Sequence, residues 1–495
     1  MNTMTRAALL IGLGFTMFGS EAFAYPTDQV EQERTGIRRL KWQHDVDAGE
    51  RRGRKVPPGA QWDSSRIQLK MTDNSDFALT PETAPDTELQ KELEALLKRG
   101  RWRRYNVAIL DITDPSAPRF AGVDATEQQT PGSVAKVLVG AGFLNELARR
   151  YPDDIPAREK LLREHKVPAD DWAMPNHHEV PVIKGERTSI RSVKWGDTFT
   201  LWEWLDHALS PSSNASASMV WREATLMRLM GEDYPPEKYG KELYRRWDRE
   251  QWTEAARATL TEPVVAAGLD PEAFFLQMFF TKGANRYVKT GPSRASPLGV
   301  LAWMVKVEQG KMVDEWASAE LKRMLYLTRR RVRYLYTKKL DEHAAFFKSG
   351  SLFQCKPEPG YTCIQYQGNV VNVLNALIEI ETAPPKPPEE PAQTQGAAEA
   401  AVESKSKSAP TPTGTKVQPA AAPPAKTKIA LEATDAREGK DSPPPSRQKD
   451  SSPSLAESPP YVYIVAVMSN ELKRNAATDH ARLAEAIHEV ITKQP

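Results

Sequence analysis

The sequence predicts an α+β fold, on three observations. Helix, hairpin and helix signals follow one another from Asp86 to Pro152. Most segments from Pro131 to about Leu340 carry apolar residues at helical spacing. Three extended segments and a closing helix then complete the chain. With 495 residues the chain is too long for one ordinary domain of about 150 residues. Its 39 prolines show that not all of that length needs to be folded.

The N-terminal stretch reads as an export signal. Arg6 precedes an apolar run, Ala7 to Phe18, and Ala22-Phe23-Ala24 offers small residues where a signal peptidase cuts. The run is well short of the roughly 20 residues a bilayer span needs, so no membrane span is expected. A short buried helix is the alternative, but the order of charge, apolar run and small-residue site favours cleavage near Ala24 and a periplasmic or secreted mature chain. Residues 25–85 read as a polar arm, with Arg51, Arg52, Arg54 and Lys55 as a solvated face and Trp62, Ile67, Leu69 and Met71 only weakly periodic.

Within the folded part, Leu89, Leu93, Leu96 and Leu97 place a helix over Asp86 to Arg99, which Gly100 ends. Tyr105 to Ile112 and Phe120 to Val123 form a hairpin across Asp114-Pro115-Ser116-Ala117-Pro118. Val134, Val137, Leu138, Ala141, Leu144 and Leu147 line the next helix, and Leu201–Leu209, Pro297–Val307 and Val313–Leu327 give others. Extended segments follow at Ala344–Phe353, Cys363–Glu381 and Tyr461–Met468, before a helix carrying Leu483, Ile487, Val490 and Ile491. The tryptophans at 195, 202, 204 and 221 are expected in the core.

Between the last two strands, residues 382–460 hold sixteen of the prolines, balanced charge and no aromatic residue, and so cannot bury enough surface to fold. We therefore expect a leader (1–24), an arm (25–85), one folded domain (86–381 with 461–495) and a disordered insertion (382–460). A net charge of +2 gives no long-range attraction to polyanions, so nucleic acid is not an expected partner. Cys355 and Cys363 flank a turn-rich stretch, and export favours a disulfide. A metal site there lacks histidine partners, and neither His177-His178-Glu179 nor any other cluster calls for a metal or cofactor.

Three motifs carry chemistry. Ser133-Val134-Ala135-Lys136 sets a hydroxyl and an amine on one face at a helix start, so that a neutral lysine can take the serine proton. Alone it is weak, since Ser404 to Lys407 repeats it and an N-cap serves as well for Ser133. Ser212-Ser213-Asn214 follows a helix and supplies a second hydroxyl with an amide, or simply a cap for the next helix. Lys348-Ser349-Gly350-Ser351 lies in an extended apolar segment, where a cation and a hydroxyl bind a carboxylate and glycine permits close approach. Lys289-Thr290-Gly291 is rejected because Pro292 breaks a pairing strand.

In this order the three motifs resemble those of the penicillin-recognising serine enzymes, serine β-lactamases and D-alanyl-D-alanine peptidases, and most closely the class A β-lactamase branch. The resemblance spans residues 86–381 and 461–495 and includes Ser296-Pro297-Leu298. It implies a five-stranded antiparallel sheet flanked by helices, plus an all-helical lobe with the site between them. It also implies Ser133 as nucleophile, Lys136 as its activator, Ser212 as proton relay and Asn214 as the amide-binding group. Lys348, Ser349 and Gly350 would hold the substrate carboxylate strand, with the N–H groups of Ser133 and Ser351 as oxyanion hole. β-Lactams or D-alanyl peptides, and peptidoglycan, are the implied partners.

One departure bears on function. No Glu-x-x-Leu-Asn loop, the class A source of the deacylating carboxylate, lies between Asn214 and Lys348. Glu223, Asp248, Glu250 and Glu254 read instead as ion-pair or surface groups. Acylation is thus better supported than fast hydrolysis, which leaves three readings: a β-lactamase-like hydrolase, a D-alanyl-D-alanine carboxypeptidase, or a non-catalytic wall-binding scaffold. Arg329, Arg330, Arg331 and Arg333 are either a solvated basic turn or a further cation for the substrate carboxylate.

Overall fold

The computed structural model describes residues 24–98, 101–185, 187–328, 331–382 and 460–493. The leader up to residue 23 and all but the ends of the 382–460 insertion lie outside the described residues. The chain opens with α1 (Val30–Thr35) and α2 (Arg38–Asp47), then α3 (Thr87–Lys98) and the hairpin β1 (Asn106–Asp111) and β2 (Arg119–Val123). After these come α4 (Lys136–Arg150) and α5 (Ile155–Glu164). Two small ribbons pair β3 (Lys166–Pro168) with β6 (Thr198–Thr200), and β4 (Glu179–Lys184) with β5 (Arg187–Ser192). Next are α6 (Leu201–Leu209), α7 (Asn214–Met230), α8 (Lys241–Tyr244) and α9 (Arg249–Ala266). The ribbon of β7 (Phe274–Phe275) and β8 (Arg294–Ala295), α10 (Pro297–Glu308) and α11 (Glu315–Tyr326) lead into β9 (Ala344–Gln354), β10 (Val371–Glu381), β11 (Val462–Asn470) and α12 (Ala476–Thr492).

Five strands form one antiparallel sheet in the order β2-β1-β11-β10-β9. Strand alternation divides its side chains into two apolar layers. Ala108, Leu110, Phe346, Leu377, Ile464 and Ala466 join the core of the helical lobe. Val107, Ile109, Phe347, Ile378 and Val465 meet α3 and α12 through Leu89, Leu93, Leu483 and Ile487. Burial on both faces explains why these strands read as continuous apolar runs in the sequence. The sheet with helices on both sides and a helical lobe is the α+β architecture that the resemblance implies. Among the described residues no helix is long and apolar enough to cross a membrane.

The N-terminal segment is not an arm. Tyr25, Ile37, Leu40, Val46, Val56, Trp62, Ile67 and Met71 are buried in the main core. Its charges mislead because many are paired inward: Arg34 with Glu159 and Glu320, Arg38 with Glu203, and Arg39 with Asp206. Trp62, Ile67 and Met71 sit in irregular chain with two short 3-10 turns, which leaves no periodicity to detect. Trp202, Trp204 and Trp221 are core residues as expected, whereas Trp195 is 63% exposed. A disulfide joins Cys355 to Cys363 in the β9–β10 connection.

Candidate active site

Ser133 lies in a 3-10 turn, Gly132–Ala135, that runs straight into α4 at Lys136. A three-residue repeat eclipses side chains three apart, so Ser133 and Lys136 share a face. The Ser133 hydroxyl caps neither element and makes no hydrogen bond among the described residues. Two amide contacts pin this turn to the sheet: Gln129 Nε2 donates to Asn375 Oδ1 (2.5 Å), and Asn375 Nδ2 donates to Thr130 O (2.8 Å).

Strand β9 passes close against the same turn. A Cβ on Gly350 would stand 2.4 Å from Pro131 O, 2.6 Å from Ser133 N and 2.8 Å from Val134 N, closer than real Cβ atoms approach. Gly132, at φ +55°, is reciprocally near Ser351 N. The N–H groups of Ser133 and Ser351 therefore belong to the two chains that meet here. Gly350→Ala must part β9 from the turn, and a displacement of about 1 Å costs on the order of 10²-fold in rate. Any reaction that this turn and strand support together is expected to show that loss in Gly350→Ala, with the circular dichroism of the fold retained.

Ser212 comes from the short link between α6 and α7. Ser213 Oγ caps α7 by accepting from Ser216 N, so the loop has the capping role its sequence allows. Ser212 itself is held at φ +61°, a left-handed conformation that a serine occupies at a cost of about 1–3 kcal/mol when its surroundings demand it. Two lysines bracket its hydroxyl. Lys348 Nζ donates to Ser212 Oγ (2.7 Å) and Ser349 O (3.0 Å). Lys136 Nζ, 0% exposed, donates to Ser212 O (2.5 Å) and Asn214 Oδ1 (2.7 Å) and lies 3.3 Å from Ser212 Oγ.

Burial, and then the neighbouring charges of Lys348 and Arg333, hold the Lys136 amine well below the ordinary lysine range. Burial and then Arg333 do the same to Lys348. A neutral amine has two N–H donors and one lone pair. In the neutral form, two N–H donors serve the two short bonds of Lys136, and the lone pair can receive a proton. His178 stands near the same cations; burial first, then Lys136, His177, Lys348 and Arg333, push its imidazole down to about 2, so it is neutral.

Of the four arginines in the basic turn, Arg329 and Arg330 lie outside the described residues. Arg331 donates to Leu340 O and His343 O and is structural. Arg333, at φ +58°, reaches the site: Nη1 donates to Ser349 Oγ (2.5 Å), and Nη2 to Ser351 Oγ (3.1 Å) and Tyr366 Oη (2.9 Å). The sequence offered this role only as the lesser reading of a basic run. A cavity of about 750 Å3 is lined by Ser212, Arg333, Lys348 and Ser349 and continues past Tyr336 and Tyr366 to α12. Among the described residues no carboxylate pairs with Arg333, whose partners are hydroxyls, so its guanidinium presents uncompensated positive charge to an anion.

The carboxylates near the second motif are all engaged elsewhere or exposed. Glu223 pairs with Arg222 and accepts from Tyr234 and Tyr239. Asp248 caps α9, Glu250 pairs with Lys289, and Glu254 is exposed. That pair also removes Lys289-Thr290-Gly291 from contention, since it lies outside the sheet. Facing Lys136 instead is an aromatic ring, with Nζ 4.8 Å from the centroid of Phe280. Nothing in the sequence marks Phe280, because it reaches the site through an irregular segment after β7.

The chain is similar to solved structures of PBP-A (11% identity over 84% of this chain and 99% of that one, TM-score 0.43). It is also similar to a β-lactamase from Sphaerobacter thermophilus DSM 20745 (12% identity, 83% and 99% covered, TM-score 0.43). A representative class A β-lactamase from Bacteroides cellulosilyticus DSM 14838 matches at 11% identity, 83% and 100% covered, TM-score 0.43. No family model and no curated protein matches the chain. At these identities and scores the likeness assigns no role to any residue.

Proposed function

We propose that the protein is an exported serine hydrolase of the β-lactamase and D-alanyl-peptidase kind, acylated on Ser133 and slow to release the acyl group. The observation that carries this reading is the Ser212 hydroxyl bracketed by the two buried lysines beside the Ser133 turn. Neutral Lys136 takes the Ser133 proton as Oγ attacks the substrate carbonyl. The N–H groups of Ser133 and Ser351 hold the oxyanion. Ser212 passes a proton to the leaving nitrogen, and Asn214 Nδ2 holds the substrate amide. Lys348, Ser349 and Arg333 bind the carboxylate next to the scissile bond, and Gly350 lets the substrate strand lie close. A β-lactam and a peptide ending in D-alanyl-D-alanine, as found in peptidoglycan, both present that carboxylate.

A second reading, the D-alanyl-D-alanine carboxypeptidase, is favoured by one feature: Phe280, and not a carboxylate, faces Lys136. Incubation of the mature protein with a fluorescent penicillin, followed by intact mass, separates the possibilities. One covalent adduct that persists for many minutes is expected, and none on Ser133→Ala. Rapid loss of the adduct indicates a β-lactamase, and release of D-alanine from a D-alanyl-D-alanine peptide indicates the carboxypeptidase. Absence of any adduct at millimolar penicillin would sink the catalytic proposal and leave the scaffold.

A further inference from the structure

A buried ion pair outside the site ties it to the segment whose sequence resembled an arm. Arg39 of α2 is 2% exposed. Its guanidinium forks onto Asp206 through Nε (2.7 Å) and Nη2 (2.6 Å), and Nη2 also donates to Ser210 Oγ (3.2 Å) and Leu327 O (2.7 Å). Asp206 is in the last turn of α6, Ser210 follows its end, and Leu327 follows the end of α11. One cation thus joins the ends of two helices. α6 runs directly into a wall of the site at Ser212, two residues beyond Ser210, and Arg333 stands six residues beyond Leu327 in the sequence.

Both destinations have positive φ, at +61° for Ser212 and +58° for Arg333. Such conformations persist only where the surroundings over-determine them. Neighbouring contacts from the same segment act on the same two helices. Trp62 N donates to Tyr326 Oη (2.6 Å) and Ala24 N to Thr328 O (3.2 Å) at the end of α11, while Arg38 forks onto Glu203 in the first turn of α6.

We propose that Arg39 is a positioning residue that sets the Ser212 loop and the Arg333 turn relative to Lys136 and Lys348, so that residues 24–71 form an internal clamp on the site. This rests on the acylation reading above. Without the fork, Ser212 relaxes from its left-handed conformation and Arg333 withdraws from β9. The Lys136 amine is faced by Lys348 from β9, by Arg333, by neutral His178 and by Asn214 and Ser212 from the α6–α7 link. Withdrawal of Arg333 removes a repulsive charge and admits water, and both changes raise the lysine's proton affinity.

The test is the acylation rate constant with a fluorescent penicillin at saturation, and its pH profile, for the full mature chain and its variants. Arg39→Met is expected to slow acylation by on the order of 10²-fold, the scale of a misplaced catalytic group, and to move the acid limb to higher pH. Ser210→Ala, which removes one bond and keeps the core filled, is expected to slow it by about threefold to tenfold with the same direction of shift. Arg39→Lys recovers part of the rate. Arg158→Met removes another buried arginine, paired with Asp314 at the start of α11 and bonded to Tyr151 O and Pro152 O but to no site residue, and lowers stability without moving the limb. If the wild type forms no adduct, the acylation reading itself fails. If the wild type is acylated while Ser210→Ala and folded Arg39→Met keep its rate and acid limb, the clamp proposal is overturned. A limb that moves equally in Arg158→Met overturns it too. Should Arg39→Met fail to fold, Ser210→Ala alone decides.

Discussion

Lys136→Met is expected to slow the acylation of Ser133 by penicillin by about 10²–10⁴-fold, the range a positioned general base supplies. Methionine keeps the buried volume but loses the lone pair together with the N–H donors to Ser212 O and Asn214 Oδ1. On the proposed mechanism the wild-type acylation rate rises with pH through the lowered pKa of Lys136 and is level above it, because only a neutral amine accepts the serine proton. That acid limb is absent in the variant. Stability responds in the same sense. In the unfolded chain the lysine keeps its ordinary proton affinity, whereas in the folded chain burial, Lys348 and Arg333 depress it. Between the two pKa values the unfolded state binds more protons, so stability rises with pH across that window. The cost of burying the amine is fully present below the folded pKa and gone above the unfolded one. Lys136→Met therefore shows a flatter rise of Tm with pH than the wild type over the range below the ordinary lysine pKa, and Lys348, depressed for similar reasons, accounts for a remaining slope. An unchanged acylation rate in Lys136→Met would remove the lysine from the base role.

Much of this site is legible in the sequence because its parts are local. Ser133 and Lys136 are three residues apart, Ser212 and Asn214 two, and the Lys348–Ser351 strand is continuous. Local spacing fixes which side chains share a face, and three such pieces in order constrain one another. What the sequence hides is non-local. Arg333 reads as part of a solvated basic run, and only its pairing with the two β9 hydroxyls distinguishes it from Arg331. Helices α1 and α2 are masked by arginines whose partners, Glu320, Glu203 and Asp206, lie more than 160 residues away. Charge that is neutralised by folding looks, in one dimension, like charge that is solvated. The small ribbons between Lys166 and Ala295 are two to six residues long, too short to show alternation.

Phe280→Glu is expected to shorten the lifetime of the penicillin adduct by about 10²-fold or more, the effect of placing a general base beside the attacking water. The argument starts from what Lys136 can do after acylation. Its two N–H groups remain committed to Ser212 O and Asn214 Oδ1, and the acyl group now occupies the serine oxygen it served. Water attacking the ester needs a separate base, and a carboxylate at position 280, where the ring centroid is 4.8 Å from Lys136 Nζ, would stand beside the lysine. A carboxylate there supplies the base, and it also draws Lys136 toward its charged form by Coulomb attraction across a poorly screened gap. Acylation should therefore slow as deacylation accelerates, with its acid limb displaced to higher pH. Phe280→Leu is the necessary companion, since it opens space for water without adding a base. If leucine shortens the adduct lifetime as much as glutamate does, exclusion of water and not the missing carboxylate governs the slow step. If neither variant changes it, the deacylating water approaches from another side and Phe280 has no part in holding the acyl-enzyme.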